Sequence, residues 1–144
     1  MWPRTAKSIP SVKAVMTPFP HSIEASASTT EAKEMMAGFG FHHLPVMDHG
    51  ELVGVVGESD LRRAERAGGG ALKVADVAYQ ETFQVDLSEP LDQVLAKMAR
   101  RQTGSVLVVK EGRLAGIFTV TDACRCFGEF LRRHYRPPDG DDAA

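Results

Sequence analysis

Leu44-Pro45-Val46-Met47-Asp48-His49-Gly50-Glu51-Leu52-Val53-Gly54-Val55-Val56-Gly57-Glu58-Ser59-Asp60 returns, 62 positions later, as Val106-Leu107-Val108-Val109-Lys110-Glu111-Gly112-Arg113-Leu114-Ala115-Gly116-Ile117-Phe118-Thr119-Val120-Thr121-Asp122. Val46, Gly50, Leu52, Gly54 and Asp60 meet identical residues, and no gap is needed. The match extends outward to lay residues 12–63 on 74–125. Val12 falls on Val74, Val15 on Val77, Ser26 on Ser88 and Met36 on Met98. Intervening positions keep their apolar class, as with Ile23 and Val85, Ala32 and Val94, and Val55 and Ile117. A period of this length marks a duplicated supersecondary unit, each copy too small to bury a good core alone.

Each copy predicts the order β-α-β-β-α. A short extended segment comes first, Ser22–Glu24 in one copy and Phe83–Asp86 in the other. A helix follows, opened by Ser28 with Glu31 three residues on, which is a capping-box pattern. In the second copy Ser88 takes the cap position, with Pro90 in the first turn. Leu91, Val94, Leu95 and Met98 give that helix an apolar face, as Ala32, Met35 and Met36 do in the first; core packing is the expected role of these methionines. Two strands then meet at Asp48-His49-Gly50 and at Lys110-Glu111-Gly112, where glycine suits the positive φ of a tight hairpin. Closing helices begin near Glu58 and Val120. The predicted organisation is an N-terminal extension (1–11), a first unit (12–67), a linker with Gly68-Gly69-Gly70 (68–73), a second unit with the last helix (74–136) and an acidic disordered tail (137–144). The fold class is α+β: two tandem units packed as a pseudo-two-fold pair, with ligand clefts at the junction.

The bulk of the 144 residues narrows the function. Hydrophobic residues at 43% and charged residues at 25% fit a globular chain. A net charge of −2 argues against nucleic acid as a partner. No apolar run reaches the ~18 residues of a membrane span, and residues 1–10 lack a signal-peptide core, so a cytoplasmic location is expected. Cys124 and Cys126 are spaced for neither a disulfide nor a zinc knuckle and read as reduced thiols, with packing favoured over a redox role.

The chemistry concentrates at Gly116-Ile117-Phe118-Thr119-Val120-Thr121-Asp122, where a buried strand hands over to a helix. A hydroxyl and a carboxylate three residues apart lie side by side at that helix N-terminus. The carboxylate suits the vicinal hydroxyls of a ribose, and the free N–H groups suit a phosphate. The same residues also serve as an ordinary helix cap, and the spacing alone leaves both open.

These residues resemble the CBS domains, named after cystathionine β-synthase, which occur as intramolecular pairs. The hallmark (glycine, two apolar residues, Ser or Thr, two variable residues, Asp) is complete in Gly116–Asp122. Gly54–Asp60 departs from it only at Gly57. His42-His43-Leu44-Pro45-Val46 is similar to the family's basic-Leu-Pro-Val strand start. The resemblance covers about residues 12–130. It implies a regulatory module without catalysis that binds AMP, ADP or ATP, with S-adenosylmethionine as a further candidate. It implies that Asp122 and Thr119 anchor the ribose of the better site, with Thr82, Phe83, Val85, Ser105 and Val106 around the adenine. In the other site Asp60 is the ribose anchor, and His21, Ile23, Leu44 and Pro45 form the base pocket. His42 and His43 are placed to meet phosphate. Gly57 weakens that first-copy site by about 0.5–1.5 kcal/mol, the worth of one hydrogen bond. Homodimers are implied as well, and an effector protein separate from this chain.

Other residues offer less. His42 and His43, adjacent on a strand, point to opposite faces and are not expected to share a metal; His49 reads as surface. Arg62-Arg63, Arg100-Arg101 and Arg132-Arg133 read as solvated helix faces, with some in reach of a polyphosphate. Trp2 and its neighbours are either loose or docked on another copy. No nucleophile–base pair, phosphate loop or metal–water site is present, so no enzyme activity is expected. The alternative to a nucleotide sensor is a dimeric docking protein that no longer binds ligand.

Overall fold

Two hairpins form the centre of the molecule, and both close as the sequence predicts. The computed structural model describes residues 8–18, 20–68, 72–78 and 83–138. Thr82, Trp2, Gly69, Gly70 and the tail from Asp139 onward, all singled out above, lie outside the described residues. In the first hairpin β3 (His43–Asp48) pairs antiparallel with β4 (Glu51–Gly57); in the second β6 (Ser105–Lys110) pairs with β7 (Arg113–Thr119). Both two-residue loops hold two positive φ angles, 50° and 85° at His49 and Gly50, 51° and 78° at Glu111 and Gly112. That is the turn whose twist matches antiparallel strands. A register shift recurs at the same place in both, between Val46 and Met47 and between Val108 and Val109. The duplication therefore extends to backbone detail.

Before each hairpin runs a short parallel strand and a helix: β2 (Ile23–Glu24) and α1 (Thr29–Phe39), then β5 (Gln84–Asp86) and α4 (Leu91–Arg101). Helices α2 (Glu58–Arg66) and α5 (Val120–His134) close the copies. Ser28 caps α1, its hydroxyl accepting from the Glu31 N–H at 3.1 Å. Ser88 departs from expectation. Pro90 is the N-cap of α4, and the Ser88 hydroxyl donates to Asp86 in a local turn. The short loop between β5 and α4 leaves Ser88 two residues too early to reach the first helical N–H groups.

Those N–H groups are satisfied from elsewhere, and the source reveals how the copies are joined. Leu91 N–H donates to the Pro10 carbonyl at 2.9 Å, and Thr29 N–H donates to the Leu72 carbonyl at 3.0 Å. Val12 N–H reaches Glu89 O at 2.9 Å, while Val74 N–H reaches Ala27 O at 2.8 Å. Lys13 N–H reaches Leu87 O, and Ala75 N–H reaches Ala25 O. Each bond has its counterpart one repeat away. The segment leading each copy thus docks on the other copy. Val12, fully buried, joins the core of Val85, Val94, Met98, Val106, Val108 and Phe118. Val74, at the start of the short helix α3 (Val74–Val77), joins Ile23, Ala32, Met36, Leu44, Val46, Val56 and Leu61. Burying one such valine stabilises by about 1.5–3 kcal/mol. The exchange continues at β1 (Thr17–Pro18), which adds to the edge of β7 to give the sheet order β1-β7-β6-β5 beside β2-β3-β4. Gly116 permits that approach: a Cβ there would lie 2.8 Å from the Thr17 carbonyl oxygen. Among the described residues no helix is long and apolar enough to cross a membrane.

Candidate functional site

Where β7 passes into α5, the sequence Thr119-Val120-Thr121-Asp122 forms a closed reciprocal cap. Asp122 Oδ2 accepts from the Thr119 N–H and from its hydroxyl, both at 2.9 Å, and the Asp122 N–H donates to the Thr119 Oγ1 at 3.3 Å. The other carboxylate oxygen accepts from Arg125 at 3.0 Å. Asp122 is 8% exposed and, among the described residues, one of two buried polar residues together with Ser105. The capping role is therefore real, and it fixes the carboxylate at a cleft. The first copy builds half of this device. Asp60 Oδ2 accepts from the Gly57 N–H at 2.8 Å and pairs with Arg63 at 3.5 Å, but no hydroxyl stands at position 57.

Two cavities open at the junction. The larger, about 670 Å³, is lined by Thr119, Val120, Thr121, Asp122 and Arg125 from one copy and by His21, Phe41, His42 and His43 from the other, with Thr17 and Pro18 at its edge. The smaller, about 470 Å³, takes Gly57, Ser59, Asp60 and Arg63 from the first copy and Phe83, Arg101, Thr103 and Ser105 from the second. Both fall within the size range of small-molecule sites. Arg101 lies over the Phe83 ring, 4.5 Å from its centroid, and His21 stacks on Phe39 at 4.3 Å.

The structure regroups the predicted site residues. Sequence reasoning joined Asp122 to Phe83 and Ser105, and Asp60 to His21. Instead, each aspartate faces the strand-start residues of the other copy. The cause is the pseudo-two-fold packing, which sets the end of β4 against the start of β6 and the end of β7 against the start of β3, with His21 on the wall of the latter cleft. Ile23, Leu44, Pro45, Val85 and Val106 line neither cleft; all five are buried, and Ile23, Leu44, Val85 and Val106 pack in the two cores. Leu44 shares its core with Ala32 and Met36 of α1, and Val106 with Val94 and Met98 of α4, while Pro45, adjacent to Leu44 on the strand, faces the other way. Arg125 was missed, and Arg63 was named only within a basic pair of a solvated helix face, although each stands three residues after its aspartate and they coincide in the repeat. Thr17 and Pro18 gave no local signal, since only the strand exchange brings them to the cleft.

The histidines divide. His42 Nδ1 lies 2.7 Å from Glu58 Oε2, and this bond holds the exposed Glu58 carboxyl below its ordinary range, helped by Arg62. His49 pairs with Asp48 at the hairpin tip, away from both clefts. His43 lines both cavities. Burial holds its imidazole below the ordinary 6.5, the charge of His42 adding to this and Asp60 opposing it. A folded-state value below the unfolded one means that unfolding takes up a proton on His43 as the pH falls. The stability it contributes is full above 6.5 and is lost as the pH drops through that value towards the folded one. The melting temperature is expected to fall between about pH 7.5 and about pH 5.5, and His43→Ser should flatten that fall. Equal slopes in the two proteins would contradict the assignment.

Cys124 and Cys126 are free thiols, and burial pushes the Cys126 thiol up, away from a reactive thiolate. Among the described residues no three His, Cys, Asp or Glu side chains are grouped to hold a metal.

Comparison with known proteins agrees with the fold and its duplication. The family model for the CBS domain matches residues 12–67 and again 74–129. The chain belongs to the CBS domain family, as a tandem pair. Its fold superposes on the CBS domain pair of protein MJ0100, solved in complex with 5′-methylthioadenosine and S-adenosyl-L-methionine, with a TM-score of 0.80 and 28% identity over 85% of this chain and 99% of that one. CBSX2 in complex with AMP gives a TM-score of 0.76 and 26% identity over 85% and 99%. The chain is 29% identical over 119 residues to the L-aspartate semialdehyde sulfurtransferase of Methanocaldococcus jannaschii, covering 81% of this chain. It spans only 23% of that protein, and 31% and 14% of two further curated relatives.

Proposed function

We propose that this CBS pair is a regulatory module without catalysis that binds an adenine nucleotide in the Asp122 cleft and signals through a change in the angle between its copies. The observation that carries the reading is the buried Asp122 carboxylate, fixed by the Thr119 cap on the wall of the larger cavity. Three of its roughly four acceptor sites are used, and the third partner, Arg125, is exposed and free to swing away. Ribose hydroxyls take the vacated oxygen, and the displaced guanidinium turns to a phosphate. Thr119 holds the carboxylate in place throughout. AMP is the first candidate, followed by ADP, ATP and S-adenosylmethionine; the relatives solved with AMP and with S-adenosyl-L-methionine support this ligand class. The Asp60 cleft is the weaker site, since Gly57 supplies no hydroxyl.

The module acts in the cytoplasm on a separate effector protein. A homodimer forms through the exposed apolar groove between α4 and α5, where Leu95, Met98, Val120 and Ala123 meet. The first test is the melting temperature with and without each of the four ligands. A ligand at a hundredfold excess over its Kd is expected to stabilise by about 2.7 kcal/mol, or roughly 5–10 °C for a chain of this size. No shift with any of the four would favour a docking protein that binds no nucleotide.

A further inference from the structure

The hallmark departs at Gly57, and the structure shows what occupies the space. His43 is the cross-strand partner of Gly57, as Ser105 is of Thr119. The two copies thus carry alternative pairs at one place: an imidazole with no hydroxyl on one side, a threonine with a small partner on the other. A Cβ on Gly57 would lie in contact with His43 Cδ2 at 3.4 Å and tightly against Asp60 Oδ2 at 3.2 Å, so the imidazole fills the space beside Gly57. A Cβ on Gly104 would lie 3.5 Å from His43 Nε2. His43 is therefore seated between two glycines, one from each copy, at the wall the two cavities share. Its Nε2 edge is turned to both: the same nitrogen would lie 3.6 Å from a Cβ on Gly57.

We propose that His43 links the two clefts, so that a phosphate-bearing ligand in one weakens binding of the same ligand in the other. This rests on the nucleotide-binding reading above. A neutral imidazole donates one hydrogen bond, and burial disfavours the charged form of this ring. One donor cannot serve two anionic ligands. The ligand in the Asp122 cleft has the Thr119 cap and Arg125 besides, so it binds first and takes the ring. The Asp60 cleft, with Gly57 in place of the hydroxyl, is left with the poorer contact.

The test uses AMP and a block placed away from His43. Thr121, exposed on the wall of the Asp122 cleft, is replaced in Thr121→Trp to fill that cleft, and calorimetry then reports the Asp60 cleft alone. With His43 present, AMP is expected to bind the Asp60 cleft of Thr121→Trp at least about threefold more tightly than it binds as the second step of the unaltered chain. In a His43→Ser background, which installs the residue found at the equivalent position 105, the two affinities should agree. Should the unaltered chain take up only one AMP, binding by Thr121→Trp supports the linkage and lack of binding overturns it. Equal affinities with His43 present, or a tightening that survives His43→Ser, also overturn it. No AMP binding by the unaltered, folded chain overturns the nucleotide reading itself, and this inference with it.

Discussion

Asp122→Ala is expected to weaken AMP binding by roughly 10- to 150-fold, the worth of about 1.5–3 kcal/mol for hydrogen bonds to a charged group. The size follows from the site. Asp122 is buried, its carboxylate is aimed by the Thr119 N–H and hydroxyl, and among the described residues no other carboxylate lines the larger cavity. The substitution also opens the cap of α5, at a cost of about 1 kcal/mol of stability. Calorimetry should therefore run well below the variant's melting temperature, with circular dichroism confirming the fold. Asp60→Ala should have the smaller effect on the first AMP bound. Unchanged affinity in Asp122→Ala would remove the carboxylate from the site.

Val12→Asp should produce the largest loss of stability, about 3–5 kcal/mol, because it sets an unpaired carboxylate in a fully buried position. Where the damage falls is as informative as its size. By repeat number Val12 belongs to the first copy, yet it packs on Val85, Val94, Val106 and Phe118 of the second. Hydrogen exchange should show protection lost first in β6 and β7, with β3 and β4 following only on global unfolding. Earlier loss in β3 and β4 would contradict the exchange of leading segments. The same exchange explains why β1 adds to β7 and why Pro10 and Leu72 cap the helices of opposite copies.

The hairpins, the two closing helices and the Ser28 cap were legible from the sequence because each rests on local chemistry. Glycine at a positive φ, a hydroxyl three residues before a helical N–H and an apolar period all act within a few residues. The duplication was legible too, and with it the pairing of Asp60 with Asp122. The pseudo-two-fold pair and its junction clefts were legible as well; what escaped was which residues of the two copies the packing brings together. The resemblance groups His21 with Asp60, whereas the pseudo-two-fold sets it in the cleft of Asp122. The resemblance assigns Ile23, Leu44, Pro45, Val85 and Val106 to base pockets, and sequence alone does not separate an apolar strand start that packs under a helix from one that faces a ligand. Ser88 was read as a cap because the spacing to the helix was misjudged by two residues, and the carbonyl that serves α4 comes from Pro10. The significance of Gly57 was half visible: the missing hydroxyl could be read, the imidazole of His43 standing beside it could not.

The most direct test of nucleotide binding is calorimetric titration of the purified chain, freed of co-purified ligand, with AMP. Saturable heat, with one tight step that follows the Asp122 cleft, is the predicted result. A flat titration by the folded protein at millimolar AMP would contradict it and leave the pair as a docking module.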